Sequence, residues 1–189
     1  METKNKISLM ASKMFLERGF DNTPMSHIAR ELGLSKAGLF HHYPSKENLL
    51  FDVIDYFNEK NFTPVYEEAV KISDPEKRLI YFFRKFAEIN TIDPSSRIAV
   101  HEAKKLKPHH LKKVKRSWQK AYGLLKDTIS EMQASGKVKK INSSFAAFAA
   151  IGMCSWTVYW FDYSRNDSAE ELVETFLEIF MRGITKGSG

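Results

Sequence analysis

Apolar positions recur with the period of a helix along almost the whole chain. Ile7, Met10, Ala11, Met14 and Phe15 follow the i, i+3, i+4, i+7, i+8 spacing that lines one face of a helix. Gly19 marks the end of that helix. Thr23-Pro24 predicts the next start, with Thr23 as the capping residue and Pro24 at the first helical position, where its missing N–H is no loss. This second helix is expected to end near Leu32, before Gly33. Ser35 caps a third, which runs to about Tyr43. Pro44-Ser45 opens a longer helix carrying Leu49, Leu50, Val53, Ile54 and Phe57, and Pro64 is expected to kink or break it. Asp74-Pro75, Asp93-Pro94 and Pro108 read as three further starts. The helix after Pro108 is predicted to be the longest, with Leu111, Val114, Trp118, Tyr122, Leu125, Ile129 and Met132 as its stripe and Gly136 as its stop. Asn142 opens a helix that is apolar nearly all round and is expected to reach Tyr163. Ser168 with Glu171 forms a capping box for the last helix, which places Leu172, Phe176, Phe180 and Ile184 on one face. No long run alternates with period two, and no Asn-Gly or Asp-Gly hairpin signal occurs. The predicted fold class is all-α, with about nine helices.

Composition narrows this little. Apolar residues make up 43% of the 189, enough for a packed core. One cysteine, Cys154, excludes an intramolecular disulfide and fits a reducing, cytoplasmic setting. The first residues are amphipathic and do not read as a signal peptide. The apolar stretch from Phe145 to Phe161 contains Ser155 and Thr157 and is shorter than the roughly 20 residues a membrane span needs, so no membrane partner is expected. The net charge of +6 is unevenly distributed: residues 1 to 60 hold 8 Lys/Arg against 8 Asp/Glu, whereas residues 97 to 120 hold 9 against 1. Along the chain the excess lies away from the two short helices that follow Thr23. A basic stretch of this kind is either a solvated face or a seat for an anion.

Those two short helices carry the most chemistry. Helices joined by a tight Gly33-Leu34-Ser35 turn have helix-turn-helix geometry, with small Ala29 at the crossing and Ile28, Leu32, Leu34 and Leu39 facing inward. The second helix is expected to expose Lys36, Ala37, Phe40, His41 and His42 and to enter a major groove by its N-terminal residues, with Lys36, His41 and His42 on base edges and Ser35 also among the DNA-binding residues. Thr23, Tyr43 and Lys46 are expected to hold the DNA backbone, Lys46 helped by the positive end of its helix. The segment GFDNTPMSHIARELGLSKAGLFHHYPSKENLL resembles the DNA-binding region of the TetR family of repressors, on Gly19, Thr23, Ile28-Ala29, Gly33-Leu34-Ser35, Phe40, Tyr43 and Lys46. It departs from that family at Phe40, where a tyrosine hydroxyl usually meets a phosphate.

The resemblance implies a helix-turn-helix DNA-binding domain over 1–46 and a helical ligand-binding and dimerisation domain over 47–186. It also implies operator DNA, a small-molecule effector and a second copy of the chain as partners. The last two helices would pair across a two-fold axis, with Ala146, Ala149, Gly152, Phe176 and Phe180 in the interface. The segment from Gly152-Met153 through Trp156 to Trp160-Phe161 is similar to a TetR subgroup that senses CoA thioesters, although Tyr159 stands where that subgroup often has arginine. Phe82, Phe83, Phe86, His101, Trp118, Tyr122, Trp156, Tyr159 and Trp160 are the candidate pocket residues. The basic stretch around Lys104, Lys105, Lys107, Lys112, Lys113, Lys115 and Arg116 is a candidate for the phosphates of CoA.

Three other readings stand beside this one. The first is a TetR-like sensor of a hydrophobic ligand other than CoA. The second is a helical enzyme, but no phosphate-binding loop, dinucleotide fingerprint, serine elbow or His-Glu-x-x-His motif is present, so no catalytic residue or cofactor is expected. The third is a non-specific basic nucleic-acid binder using residues 97 to 120, recognisable by a steep salt dependence with no preferred site. His101, His109, His110 and Glu102 suggest metal ligands only weakly, because Pro108 interrupts them, and no metal is expected.

Overall fold

Proline and glycine punctuate the helices much as the sequence predicts. The computed structural model describes residues 2–92, 95–160 and 168–186. The helices are α1 (Glu2–Arg18), α2 (Met25–Glu31), α3 (Lys36–His42), α4 (Lys46–Phe57), α5 (Thr63–Lys71), α6 (Pro75–Ile92), α7 (Ser96–Glu102), α8 (Pro108–Ala134), α9 (Ser143–Trp160) and α10 (Ala169–Ile184). A π-helical turn over Asn58–Phe62 follows α4 and runs directly into α5. A 3-10 turn, Ala103–Lys105, extends α7. Among the described residues there is no strand, only an isolated bridge between Val138 and Thr185. The expected start at Asp93-Pro94 and the expected end of α9 at Tyr163 lie outside the described residues.

The caps explain most of the boundaries. The Ser35, Ser45 and Ser168 side chains accept from the N–H groups of Gly38, Asn48 and Glu171, satisfying donors that a helix start leaves unpaired. Asn142 Oδ1 accepts from Ser144 and Phe145 N–H. Gly33 has φ +65 and lets the chain end α2 with Leu34 N–H on Ala29 O and Gly33 N–H on Arg30 O, the paired bonds of a Schellman stop. Thr23 is a correction. Pro24, not Thr23, holds the cap position of α2, and the Thr23 hydroxyl donates to Gly19 O at 2.8 Å and Met14 O at 3.3 Å instead of accepting from α2.

The chain divides into two compact units. The first comprises residues 1–59 with 94–115, the second residues 60–93 with 116–189. The division expected at 46/47 therefore falls inside the first unit. The reason is packing: Leu49, Leu50, Val53 and Ile54 of α4 are buried, and α4 packs on α1 and α7. In this unit α2 and α3 cross at Ala29, over a core of Ile7, Ala11, Met14, Phe15, Ile28 and Leu39. In the second unit α6 packs on α5, α9 and α10, around Phe82, Phe83, Leu125, Ile129 and Met132. Two arginine forks brace it. Arg78 reaches Glu131, Thr128 and the carbonyls of Ile72 and Ser73, and Arg84 grips both oxygens of Glu174.

Candidate nucleic-acid interface

Helix α3 is anchored by one buried residue and leaves most of the others exposed. Leu39 is fully buried, while Ser35, Lys36, Ala37, Phe40 and His41 are exposed and His42 is half-buried. Positions 36, 37, 40 and 41 fall on one side of a helix with 3.6 residues per turn, so they form a single outward face. Lys36 Nζ lies 5.9 Å from the Phe40 ring centroid. His41 meets His42 edge-on at 5.6 Å. A face carrying one cation, one imidazole and an aromatic ring, with the second imidazole of half-buried His42 beside it, has the donors and apolar contacts that base edges require.

Two of the expected backbone contacts are built into the fold instead. Thr23 is fully buried with its hydroxyl on two carbonyls. The Tyr43 ring is 3% exposed, and its hydroxyl donates to Asp52 Oδ2 at 2.6 Å. Ser8 also donates to that oxygen and lies 3.1 Å from the Tyr43 hydroxyl. Burial, and then the Asp52 carboxylate, push the phenol well above its ordinary pKa. The triangle joins α1, the end of α3 and α4. Tyr43→Phe is therefore expected to lower stability by about 1 kcal/mol in urea unfolding, with DNA affinity unchanged within about twofold when the protein is folded. A large affinity loss without a stability loss would restore the phosphate role.

Lys46 keeps a place suited to a phosphate. It is the first residue of α4, where unpaired N–H groups and the helix dipole favour an anion. Its ammonium lies 4.2 Å from the Phe20 ring centroid and donates to Asp21 O at 3.2 Å. Burial, followed by nearby Lys105, lowers its pKa, while Asp21 opposes the shift.

Sequence reasoning missed the segment beside it. Residues 94–115 return to the first unit, which by sequence holds 14 Lys/Arg against 9 Asp/Glu, a net +5 of the chain's +6. The positive excess thus shares a unit with the reader rather than lying away from it. Lys105 pairs with Asp21 and Glu102, Lys113 pairs with Asp55, and Glu47 accepts from Lys107 N–H and His110 Nδ1, each at 2.8 Å. His110 also stacks on Phe51 at 4.0 Å. Burial would raise the Glu47 carboxyl, but His110 and the Lys107 N–H hold it below the usual range. Among the described residues no three His, Cys, Asp or Glu come together as metal ligands.

The second unit presents an apolar face. Phe145, Phe148, Trp156 and Tyr159 of α9 are 71%, 61%, 61% and 45% exposed, with exposed Ala149 and Gly152 between them and Ile179 of α10 exposed as well. Ala146 and Phe180, expected in the subunit interface, are buried in the protomer's own core, because they share helix faces with Ala147, Ala150 and Cys154 and with Val173, Leu177 and Ile184. Phe176 is half-buried against that core. The expected pocket residues are not gathered around one space. Phe82 and Phe83 are core, Phe86 stacks on Phe82 at 5.6 Å, and Tyr122 packs on Phe148 at 4.9 Å. Trp118, Trp156 and Tyr159 are exposed, His101 is exposed in the other unit, and the side chain of Trp160 lies outside the described residues. A groove between α5 and α8 of about 680 Å³ is lined by Tyr66, Val70, Arg116, Gln119, Lys120 and Leu124 among others.

No described helix is long and apolar enough to cross a membrane. A family model described as "Tetracyclin repressor-like, C-terminal domain" matches residues 73–184, and one described as "Bacterial regulatory proteins, tetR family" matches residues 10–53. The chain is 24% identical over 196 residues to the HTH-type transcriptional repressor KstR2 of Mycolicibacterium smegmatis, covering 98% of this chain and 92% of that protein. It is 33% identical over 76 residues to the uncharacterized HTH-type transcriptional regulator YuxN of Bacillus subtilis, a match that covers 40% of this chain and only 26% of that protein. The fold is similar to that of AibR, whose crystal structure is a complex with isovaleryl coenzyme A and operator DNA, with a TM-score of 0.86, 24% identity and coverage of 93% of this chain and 96% of that one.

Proposed function

The chain belongs to the tetR family of bacterial regulatory proteins, and on that premise we propose that it is a dimeric repressor released from its operator by a small molecule, an acyl- or aryl-CoA thioester. The family is one of DNA-binding transcriptional regulators, so the enzyme reading falls with membership. The observation that carries the proposal is the outward face of α3: Lys36, Ala37, Phe40 and His41 are exposed around the single buried anchor Leu39.

Lys36, His41 and His42 read base edges in this proposal, and Lys46 holds a phosphate. A second copy of the chain covers the α9 face and sets the spacing of two readers, so the operator is roughly palindromic. Support for the effector comes from the thioester-sensor resemblance over Gly152 to Phe161 and from isovaleryl coenzyme A in the AibR complex. The groove beside α8 adds Arg116 and Lys120, two cations beside Tyr66, where a nucleotide diphosphate finds both charge and a ring.

The readers separate by specificity. Lys36→Ala and His41→Ala are expected to relax base preference at defined positions of a duplex selected from a random pool, at about 1–3 kcal/mol per lost contact. Lys46→Ala is expected to weaken all duplexes alike and to flatten the salt slope by about 0.9. Unchanged base preference in both reader variants would refute the assignment of α3.

A further inference from the structure

Two lysines from distant parts of the sequence share one turn. Lys46, at the start of α4, and Lys105, at the end of the 3-10 turn after α7, lie 4.2 and 5.2 Å from the centroid of the Phe20 ring. Lys46 takes the carbonyl of Asp21, and Lys105 takes its carboxylate, at 2.5 Å. Lys105 has a second carboxylate in Glu102, at 2.8 Å. All five residues belong to the first unit.

The pair with Asp21 is poorly suited to stabilising the fold. The Asp21 side chain is 72% exposed, and exposed ion pairs contribute little. Glu102, at 17% exposure, would hold Lys105 without it. The electrostatic consequence for DNA is larger. Asp21 is a carboxylate on the turn that Lys46 touches. Left bare, it would repel an approaching phosphate and draw the Lys46 ammonium back from it. Lys105, shared with Glu102, counters that charge where it stands, and its hydrogen bond keeps the Asp21 carboxyl below the ordinary range, so the acid is countered as an anion and not merely protonated. Lys104, exposed on the same turn, adds positive potential at Asp21.

We propose that Lys105 is a positioning residue for operator binding, which neutralises Asp21 and so leaves Lys46 free to reach a phosphate. This rests on reading Lys46 as a phosphate contact. It makes the α7–α8 corner part of the DNA interface without requiring it to touch DNA.

The test is a mutant cycle in the full-length protein, with a duplex selected from a random pool by the wild type and affinity followed by fluorescence anisotropy. Lys105→Ala is expected to weaken binding about fivefold. Lys105→Arg, which keeps the charge, is expected to bind within about twofold of wild type. Asp21→Asn is expected to be nearly neutral alone and to restore Lys105→Ala to within about twofold of wild type. A direct phosphate contact or a purely structural role for Lys105 gives a loss that Asp21→Asn does not restore, and that result overturns the proposal. So does a Lys105→Ala variant that binds like the wild type. Lys46→Ala, measured alongside, keeps the two readings apart. Wild-type affinity in that variant refutes the phosphate role of Lys46, whereas a weakened Lys46→Ala with no rescue by Asp21→Asn refutes the role of Lys105 alone.

Discussion

Gly152→Leu is expected to turn a dimer into a monomer while leaving the protomer folded. Gly152 lies on the exposed stripe of α9, and among the described residues a Cβ placed there meets nothing within 4 Å. No described neighbour in the protomer therefore requires glycine, and leucine is favoured over glycine within a helix by nearly 1 kcal/mol. The smallness of Ala149 and Gly152 is useful only to something that approaches from outside. What surrounds them is apolar: Phe145, Phe148, Trp156 and Tyr159 expose about half or more of their surface. At about 150–250 Å² per aromatic side chain, these four supply roughly half of the ~800 Å² per partner that a stable dimer buries, and Ile179 with the small residues between them adds to it. A leucine at 152 wedges the two copies apart, and Trp156→Glu places a charge in the same apolar seam. Both variants are expected to sediment as monomers at micromolar concentration. Both are also expected to lose about two or more orders of magnitude in operator affinity, because one reader on one half-site forfeits the effective concentration that a dimer supplies. Base preference within a half-site is expected to persist. A Gly152→Leu protein that stays dimeric with full operator affinity would show that this face is not the one that pairs.

Much of the fold was legible because its boundaries are marked by residues with one local meaning. Gly19, Gly33 and Gly136 have positive φ and end helices where the sequence places the stops. Ser35, Ser45 and Ser168 cap as expected. The errors arise where a residue type has two uses. A threonine before proline can accept from the coming helix or donate back to the previous one, and Thr23 does the latter. Pro64 was expected to kink or break its helix. Proline removes a helical donor and its ring conflicts with the carbonyl four residues earlier, that of Lys60, and the α-helical pattern gives way there to the π turn over Asn58–Phe62 without a break in the helical run. In α9 nearly every position is apolar, so periodicity has no face to report. That is why Ala146 could not be told from Ala149, although one is buried and the other exposed.

The exposed face of α3 was the most legible part of the candidate site, because Lys36, Phe40 and His41 are polar or aromatic on a helix short enough to need only one buried anchor. The Lys105–Asp21 pair was invisible for a different reason. Its members are 84 positions apart, and no local pattern links them. Counting charge along the sequence separated the basic stretch from the reader, whereas the chain's return through residues 94–115 joins them. Among titratable residues, local spacing reveals those that act within one helix and conceals those brought together by the path of the chain.

Titration with isovaleryl-CoA, or an aryl-CoA, is expected to release the operator and to change tryptophan emission at the same concentrations. All three tryptophans, Trp118, Trp156 and Trp160, lie outside residues 1–46, so a change in emission on adding the effector in the absence of DNA reports effector binding. Release requires the ligand to prefer a dimer whose readers are wrongly spaced for the half-sites; equal affinity for both arrangements would shift nothing. Coupling of about 1–3 kcal/mol corresponds to a roughly 5- to 150-fold loss of operator affinity. The acyl chain and the nucleotide make separable demands. The nucleotide carries phosphates, for which the α5–α8 groove offers Arg116 and Lys120, its third cation, Arg78, being paired with Glu131. Arg116→Glu with Lys120→Glu is therefore expected to raise the thioester concentration needed for release about tenfold or more, through two reversed charges. Operator affinity without ligand is the control in that variant. The matching free acid and CoA alone are expected to be weak, since each satisfies one demand only. Release by free acids or neutral hydrophobes, with thioesters inert, would reject the CoA reading. It would leave a tetR-family sensor of another apolar ligand, the reading that Tyr159 favours by standing where the thioester sensors often carry arginine.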